Sequence, residues 1–284
     1  MYVTSVLLTH GEKSVGRMEK HLEGYGISCV SVELTGRTYT VDSLGDLSNV
    51  DVGLVYPGRL IEGGLVDSFV DVSWVNDCSD VLLCRNKARV TAELEKGGIP
   101  VPESLFVSSP VDRGEVLSGV REMFESSVVV KPNSATRGRG VVKADDLDSF
   151  SGVMDYFDVI HESSLVFDNV YVVQEFIEDA VDYRVMVFGG EYVGAVVRER
   201  DGWKKNVHRG GCARGVTPPE RVIEVAEEAA RELEVDFCGV DVLVSGARCV
   251  VNEVNAKPTV DNFDKYESEF YDRLASVIED ADQD

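Results

Sequence analysis

Four polar side chains interrupt an apolar hairpin near the end of the sequence. The stretch GVDVLVSGARCVVNEVN, residues 239–255, predicts two strands joined by a Ser-Gly turn. Glu253 and Asn255 are two residues apart and project from one strand face, whereas Asn252 is expected on the other face and Asp241 on the neighbouring strand. Two carboxylates and an amide favour a hard cation such as Mg2+, since a buried carboxylate is costly without a partner. A hairpin with one solvent-exposed face is the alternative.

A second group of residues could cover a polyphosphate. The segment VVVKPNSATRGRGVV places Lys131 at the end of an apolar strand, and a loop rich in glycine and arginine follows at 133–140. Backbone N–H groups and guanidinium groups bind phosphate oxygens, so Gly138, Arg139 and Gly140 are candidates for nucleotide contacts. An ordinary hairpin loop is the alternative interpretation.

Polar residues also end the predicted strand VYVVQE. Gln174, Glu175 and Phe176 could present backbone donors and acceptors to the edge of an adenine base. Asp182 and Arg184 are two residues apart, so they share a strand face. Asp182 could bind ribose hydroxyls and Arg184 a phosphate, and a cross-strand ion pair is the alternative for these two residues.

The most basic stretch of this acidic chain is DGWKKNVHRGG, residues 201–211. Such a stretch is expected to face anions. Arg209 is a candidate for stabilising a transferring phosphoryl group, and His208 is a candidate for acid–base catalysis. The remaining candidates for anion contacts here are Lys204, Lys205 and Asn206.

These residues depend on an α/β and α+β framework. Residues 1–85 alternate short apolar strands with amphipathic helices, which predicts a small open α/β sheet. Its first strand is not followed by G-x-G-x-x-G, so no dinucleotide site is expected there. A helix over 87–96 ends at two glycines with prolines beyond it, which indicates a domain boundary. We divide the chain into units at 1–85, 86–173 and 174–284.

The composition narrows the classes of partner. The chain carries 51 acidic and 28 basic residues, a net charge of -23, which disfavours nucleic acid and anionic membranes as partners. No apolar run reaches about 18 residues, and no signal peptide is recognised at the N-terminus. Six cysteines without zinc-site spacing fit a reducing cytoplasm. The acidic excess, with 18 Arg and only 10 Lys, favours adaptation to high salt over an ordinary acidic protein.

The order of these motifs closely resembles the ATP-grasp superfamily, and most closely its RimK-type branch of carboxylate–amine ligases. The resemblance runs from Asn86 to Pro258. It implies an ATP-grasp fold preceded by a small open α/β domain, with ATP lying between two subdomains. Lys87 and Lys131 would contact the phosphates, Glu175 and Phe176 the adenine, and Asp182 the ribose. The resemblance also implies nucleotide contacts from Lys204, Lys205 and Asn206, a γ-phosphate and acyl-phosphate contact from Arg184 and Arg209, and two Mg2+ ions (or Mn2+) held by Asp241, Glu253 and Asn255.

The implied reaction joins a carboxylate to an amine through an acyl-phosphate at the expense of ATP. The implied substrates are a small-molecule or peptide carboxylate and an amino acid such as glutamate. The implied enzyme is cytoplasmic, and homo-oligomers occur among related ligases. The branch commonly continues Ser/Thr-Pro-Gly after the metal asparagine, whereas this chain reads AKPTV, with Lys257, Pro258 and Thr259. This departure leaves the amine open: Lys257 and Lys265 either bind an acidic co-substrate or are surface cations. The alternatives are a D-alanine- or glutathione-synthetase-like peptide ligase, an ATP-grasp kinase, and a nucleotide-binding module without catalysis.

Overall fold

The computed structural model describes most of the chain. The described residues are 4–10, 12–32, 38, 40, 47, 49–57, 60–136, 138–162, 169–199, 202–204, 212–258, 260, 266 and 269–283. Within these ranges no helix combines the length and the apolar character that a membrane crossing requires.

The N-terminal part of the chain folds as an open parallel sheet with helices between its strands. In the order β2-β1-β3-β4, all neighbouring strands are parallel. The strands are β1 (Thr4–Leu8), β2 (Ile27–Ser31), β3 (Val52–Val55) and β4 (Ser73–Asn76). The helices are α1 (Glu12–Leu22), extended by a 3-10 turn at Glu23–Tyr25, α2 (Leu60–Asp67) and α3 (Cys78–Arg85). The predicted open α/β sheet is confirmed, and the carboxyl ends of its strands share one edge.

The central part is a four-stranded antiparallel sheet in the order β5-β8-β6-β7. Its strands are β5 (Ser104–Ser108), β6 (Val128–Pro132), β7 (Val142–Ala144) and β8 (Val170–Glu175). Helix α4 (Lys87–Lys96) precedes it, and α5 (Arg113–Met123) and α6 (Leu147–Glu162) pack on it around Val130, Phe150 and Tyr171. Asn86 caps α4 by accepting a hydrogen bond from the Arg89 N–H, so the predicted helix begins directly after α3.

The C-terminal part is a five-stranded antiparallel sheet in the order β11-β10-β9-β12-β13. Its strands are β9 (Val181–Phe188), β10 (Glu191–Glu199), β11 (Cys212–Val216), β12 (Phe237–Ser245) and β13 (Arg248–Asn255). Its helices are α7 (Glu220–Glu232) and α8 (Phe270–Asp282). The predicted hairpin of β12 and β13 therefore lies at one edge of this sheet.

One continuous apolar core joins the N-terminal sheet to the C-terminal sheet, whereas the central sheet has a core of its own. Asn76, at the end of β4, is fully buried and reinforces this junction. Its Nδ2 donates to the carbonyls of Phe237 and Ala256, both at 2.6 Å, and its Oδ1 accepts from the Phe237 N–H at 3.1 Å. The hairpin is thereby held against the carboxyl edge of the N-terminal sheet. Our division into three units stays a prediction, and its boundary after residue 173 falls inside β8.

Candidate functional site

A cavity of about 710 Å³ lies between the central and C-terminal sheets. Many of the predicted site residues line it: Lys87, Lys131, Gly138, Gln174, Glu175, Phe176, Asp182, Lys204, Asp241 and Glu253. Arg139, Gly140, Arg184 and Asn255 are described but do not belong to the lining. Lys205, Asn206, His208 and Arg209 fall outside the described residues, so their predicted roles stay predictions.

Asp241 is the centre of a buried network of charges on three neighbouring strands. It is 2% exposed and accepts hydrogen bonds from Arg184 at 2.6 Å on Oδ1 and 2.8 Å on Oδ2. Arg198, on β10, lies 2.9 Å from Asp241 Oδ2 and donates to Asp182 Oδ1 at 2.6 Å. Burial alone would raise the pKa of Asp241, but the charges of Arg184 and Arg198 outweigh burial and hold that pKa below its usual range. Both predicted polar residues of β9 thus make ion pairs with neighbouring strands.

Arg198 is the member of this network that the sequence patterns did not predict. It is 7% exposed and ends the apolar run VGAVV of β10. A long cation directly after such a run was the available signal, because a buried arginine requires carboxylate partners. Burial raises the pKa of Asp182, against the attraction of Arg198.

Glu253 faces Asp241 across the hairpin, as the sequence predicts. Its carboxylate lies 3.5 Å from Lys87 Nζ. Lys87 Nζ also donates to the carbonyls of Asn133 at 3.3 Å and Ala135 at 2.6 Å. One ammonium group therefore joins the start of the glycine-rich loop to the carboxylate wall of the cavity.

The expectation that Asn252 points away from Glu253 is wrong, and a β-bulge is the reason. Asp241 pairs with Glu253 but Val242 pairs with Val251, so Asn252 is an extra residue in the ladder. The bulge breaks the two-residue alternation, and Asn252 lines the cavity beside Glu253. Asn255, by contrast, donates from Nδ2 to the carbonyl of Gly239 at 3.3 Å.

Lys131 crosses the cavity from the central sheet. Its Nζ donates to Asn252 Oδ1 at 2.8 Å and also to Gln174 Oε1. Burial lowers the pKa of Lys131 to about 8, although the charge of Glu253 acts in the opposite direction. The ammonium is thus held by neutral oxygens rather than by a carboxylate contact.

Aromatic and aliphatic side chains form the opposite end of the cavity. The ring of Phe176 lies edge-on to Trp203 at 6.2 Å, and Lys143 Nζ lies 4.2 Å from its centroid. Lys204 Nζ donates to the carbonyl of Val141, which places the described part of the basic stretch beside the end of the glycine-rich loop. An apolar end and a cationic end together suit a base joined to a polyphosphate.

Glu175 closes one side of this apolar end. Its carboxylate accepts from Arg248 at 2.6 and 2.7 Å, and its Oε1 accepts from the Glu103 N–H at 2.8 Å. Hydrogen bonding to Arg248 lowers the pKa of Glu175. The carboxylate of Glu175 therefore joins the central sheet to β13, and its backbone N–H donates to the carbonyl of Glu103 at 3.0 Å.

Six carboxylate side chains line the cavity, at Glu175, Glu178, Asp179, Asp182, Asp241 and Glu253, and the last two pair across the hairpin. Across the described ranges, no three His, Cys, Asp or Glu side chains cluster in a way that would hold a metal ion. Asp241, Glu253 and the amide oxygen of Asn255 leave several coordination positions for other oxygens, such as those of phosphate. An ionised carboxylate offers about four acceptor positions, and the arginines occupy three on Asp241.

Comparison with known proteins gives one family. The model of the RimK-like ATP-grasp domain matches residues 84–275. The chain is 34% identical over 197 residues to ribosomal protein bS6–L-glutamate ligase from Shigella boydii serotype 4, and the match covers 67% of this chain and 62% of that protein. The chain therefore spans less than two thirds of the length of that relative.

Two solved structures share the fold over nearly the whole chain. D-alanine–D-alanine ligase from Bacillus anthracis has a TM-score of 0.69 at 17% identity, covering 100% of this chain and 98% of that one. A RimK domain ATP-grasp protein from Sphaerobacter thermophilus has a TM-score of 0.67 at 16% identity, covering 98% and 99%. At these identities the likeness concerns the fold.

Proposed function

This chain belongs to the RimK-like ATP-grasp domain family, and from that premise we propose that it is an ATP- and Mg2+-dependent ligase that joins a carboxylate to the amine of an amino acid. The expected ATP-grasp fold, preceded by a small α/β domain, is confirmed. The observation that carries the proposal is one cavity with Lys87 and Lys131 facing Asp241 and Glu253. Cations for phosphates and oxygen ligands for a metal are thereby placed within one space.

ATP is proposed to bind with its adenine at the apolar end and its triphosphate at the cationic end. Phe176 and the backbone of Glu175 would contact the base, and Asp182 the ribose. Lys131 and Lys87 would contact the phosphates, because both ammonium groups reach into the cavity from the central sheet side. The phosphate contacts proposed for Gly138, Arg139 and Gly140, and the nucleotide contacts of Lys204, Lys205 and Asn206, rest on the motif order.

Asp241, Glu253 and Asn255 are the residues proposed to hold two Mg2+ ions, with Mn2+ as an alternative. Their oxygens fit a hard cation, and Asn255 keeps its Oδ1 available because its Nδ2 makes the bond to Gly239. Bound Mg2+ would neutralise charge on the transferring phosphoryl group.

The proposed reaction has two steps. A carboxylate oxygen attacks the γ-phosphorus of ATP, and the bond to the β,γ-bridging oxygen breaks, giving an acyl-phosphate and ADP. The amine nitrogen then attacks the carbonyl carbon, the C–O bond to phosphate breaks, and an amide, inorganic phosphate and a proton result. Arg184 and Arg209 are proposed to face the phosphoryl group and the oxyanion, and His208 to take up a proton. The loop at 133–140, held at its start by Lys87, would exclude water from the acyl-phosphate.

The experiment is a screen of ADP release in which amino acids are crossed with carboxylate acceptors at high salt. The acids include a ribosomal protein, since the name of the Shigella relative contains one, and small-molecule acids. ADP release that requires both an acid and an amine supports the ligase. A stable phosphorylated product formed without an amine would instead support an ATP-grasp kinase. The acid and the amine that together give ADP release would distinguish glutamate addition from a D-alanine- or glutathione-type ligation. We place this reaction in the cytoplasm.

A further inference from the structure

Arg85 and Lys257 are two cations near the candidate metal residues, and no described carboxylate pairs with either of them. Lys257 follows Asn255 by two residues, and its Nζ donates to the carbonyl and to the Oγ1 of Thr9. Arg85 ends α3, is partly buried, and lies close enough for its charge to act on Lys257. In the part of the chain that the structure describes, neither cation makes an ion pair, although acidic residues outnumber basic ones by 51 to 28.

The two cations occupy a position where ligands commonly bind. Thr9 directly follows β1, and its Oγ1 donates to the carbonyl of Val55 at the end of β3, at 2.7 Å. This is the carboxyl edge of the parallel sheet, the edge at which open α/β sheets bind ligands. Two of the three N–H donors of Lys257 are used on Thr9, so one donor remains for a ligand.

Arg85 and Lys257 do not belong to the lining of the 710 Å³ cavity, but the chain keeps both close to its phosphate end. Arg85 is two residues from Lys87, which pairs with Glu253, and Lys257 is four residues beyond Glu253. Since consecutive Cα atoms are about 3.8 Å apart, both backbones pass within roughly 15 Å of these residues. His10 underlies this segment: it is 4% exposed, and both the charge of Lys257 and the carbonyl of Pro258 act on its ring.

We propose that Arg85 and Lys257 form a binding site for a carboxylate of the amino-acid co-substrate, which orients its amine toward the acyl-phosphate. This inference rests on the proposed ligase function and names the class of its amine: an amino acid with a free carboxylate. The carboxylate of such an amino acid is repelled by a chain of net charge -23, and a local pair of unneutralised cations offsets this repulsion. Arginine supplies a planar fork for carboxylate oxygens, and lysine adds a point charge.

The test is equilibrium binding of amino acids by calorimetry, with full-length protein, Mg2+ and a non-hydrolysable ATP analogue at molar KCl. L-glutamate, L-aspartate and L-alanine are titrated first, and the tightest ligand is carried forward. We expect Lys257→Gln and Arg85→Gln each to weaken its binding at least about tenfold. Lys20→Gln, an exposed lysine on α1 with the same change of charge, is the control and should bind as the wild type does. Failure of all three amino acids to bind the wild type would overturn the site.

Amides of the ligand separate carboxylate binding from a general effect on the fold. If L-glutamate is the ligand, L-glutamine lacks its γ-carboxylate and L-isoglutamine its α-carboxylate. For one of the two amides, we expect the penalty of Lys257→Gln to disappear, because the charge that Lys257 binds is already absent. An equal penalty for glutamate and for both amides, or wild-type affinity in both cation variants, contradicts the proposal.

The same variants keep this inference distinct from the ligase proposal. If amide formation requires both acid and amine but Lys257→Gln leaves the KM for the amine unchanged, the carboxylate site is contradicted and the ligase proposal stands. If binding is selective for the carboxylate and depends on Lys257, but no pair of substrates gives ADP release, the ligase reaction is contradicted and the carboxylate site stands.

Discussion

Lys131 donates a hydrogen bond to Asn252 at 2.8 Å, and this bond joins the central sheet to the hairpin that carries Asp241 and Glu253. The two residues are 121 positions apart in the chain. The bond exists because the bulge at Asn252 turns its amide into the cavity, where Gln174 supplies the second acceptor for the same ammonium. Asn252 thus positions a proposed phosphate ligand without being one.

Replacing Asn252 tests this relationship. We expect Asn252→Leu, which removes the acceptor at similar side-chain size, to raise the KM for ATP about tenfold or more, since hydrogen bonds to charged groups contribute roughly 1.5–3 kcal/mol. Asn252→Asp keeps an oxygen acceptor and should restore most of the affinity. Steady-state kinetics at varied ATP concentration would measure the KM. An unchanged KM in Asn252→Leu would show that the hydrogen bond from Lys131 to Asn252 does not contribute to ATP binding.

The burial of Lys131 predicts opposite pH dependences for binding and for stability. The pKa of Lys131 is about 8 in the folded protein, against 10.5 for a lysine that is not buried. The ammonium therefore loses its proton as pH rises through about 8. Affinity for an ATP analogue should therefore fall above pH 8. Between pH 8 and 10.5 the unfolded chain holds more protons than the ligand-free folded chain, so this group's destabilising contribution is relieved as pH rises.

Titration of analogue binding from pH 6.5 to 9.5 checks the first dependence, and chemical denaturation of ligand-free protein checks the second. Lys131→Arg is the control, because a guanidinium does not lose its proton in this range. Loss of affinity at high pH that persists in Lys131→Arg would assign the titration to another group.

Sequence patterns predicted the hairpin and ten of the 22 residues that line the cavity, but not every side-chain direction. The predicted hairpin does bring Asp241 opposite Glu253, but the alternation rule failed at Asn252, because a bulge inserts one residue without leaving a signature in the letters NE. Arg198 was missed for a related reason. Its carboxylate partners lie 16 and 43 residues away, and only the pairing of β9 with both β10 and β12 brings all of them together.

Glu253→Gln is the clearest test of the metal assignment. The Glu253 side chain is 27% exposed and its partner Lys87 lies at 3.5 Å. Removing the charge of Glu253 therefore leaves no deeply buried charge without a partner. We expect turnover to fall at least about a hundredfold, with the melting temperature little changed, if this carboxylate holds Mg2+. Asp148→Asn, an exposed carboxylate on α6, serves as the matched control. Near-normal turnover of Glu253→Gln in Mg2+ would remove Glu253 from the site.

Asp241→Asn should also abolish turnover, but it is expected to destabilise the fold as well. Its carboxylate is the shared partner of Arg184 and Arg198, and removing one partner of a buried ion pair costs about 3–5 kcal/mol. Denaturant titration measures the loss. A double variant, Asp241→Asn with Arg184→Met, should recover part of it because one stranded cation is removed. If Asp241→Asn keeps the free energy of unfolding of the wild type, the arginines are not held by this residue.

High salt is expected to stabilise the protein. With a net charge of -23, exposed carboxylates repel one another, and raising the salt from 0.1 to 1 M shortens the screening length from about 10 to about 3 Å. The ion pairs around Asp241 are buried and lose little by this screening, so the net effect favours the folded state. Thermal melts in dilute buffer and in molar KCl would measure it, with molar sodium chloride as a check that the effect follows ionic strength. A melting temperature that is equal or higher in dilute buffer would contradict adaptation to high salt.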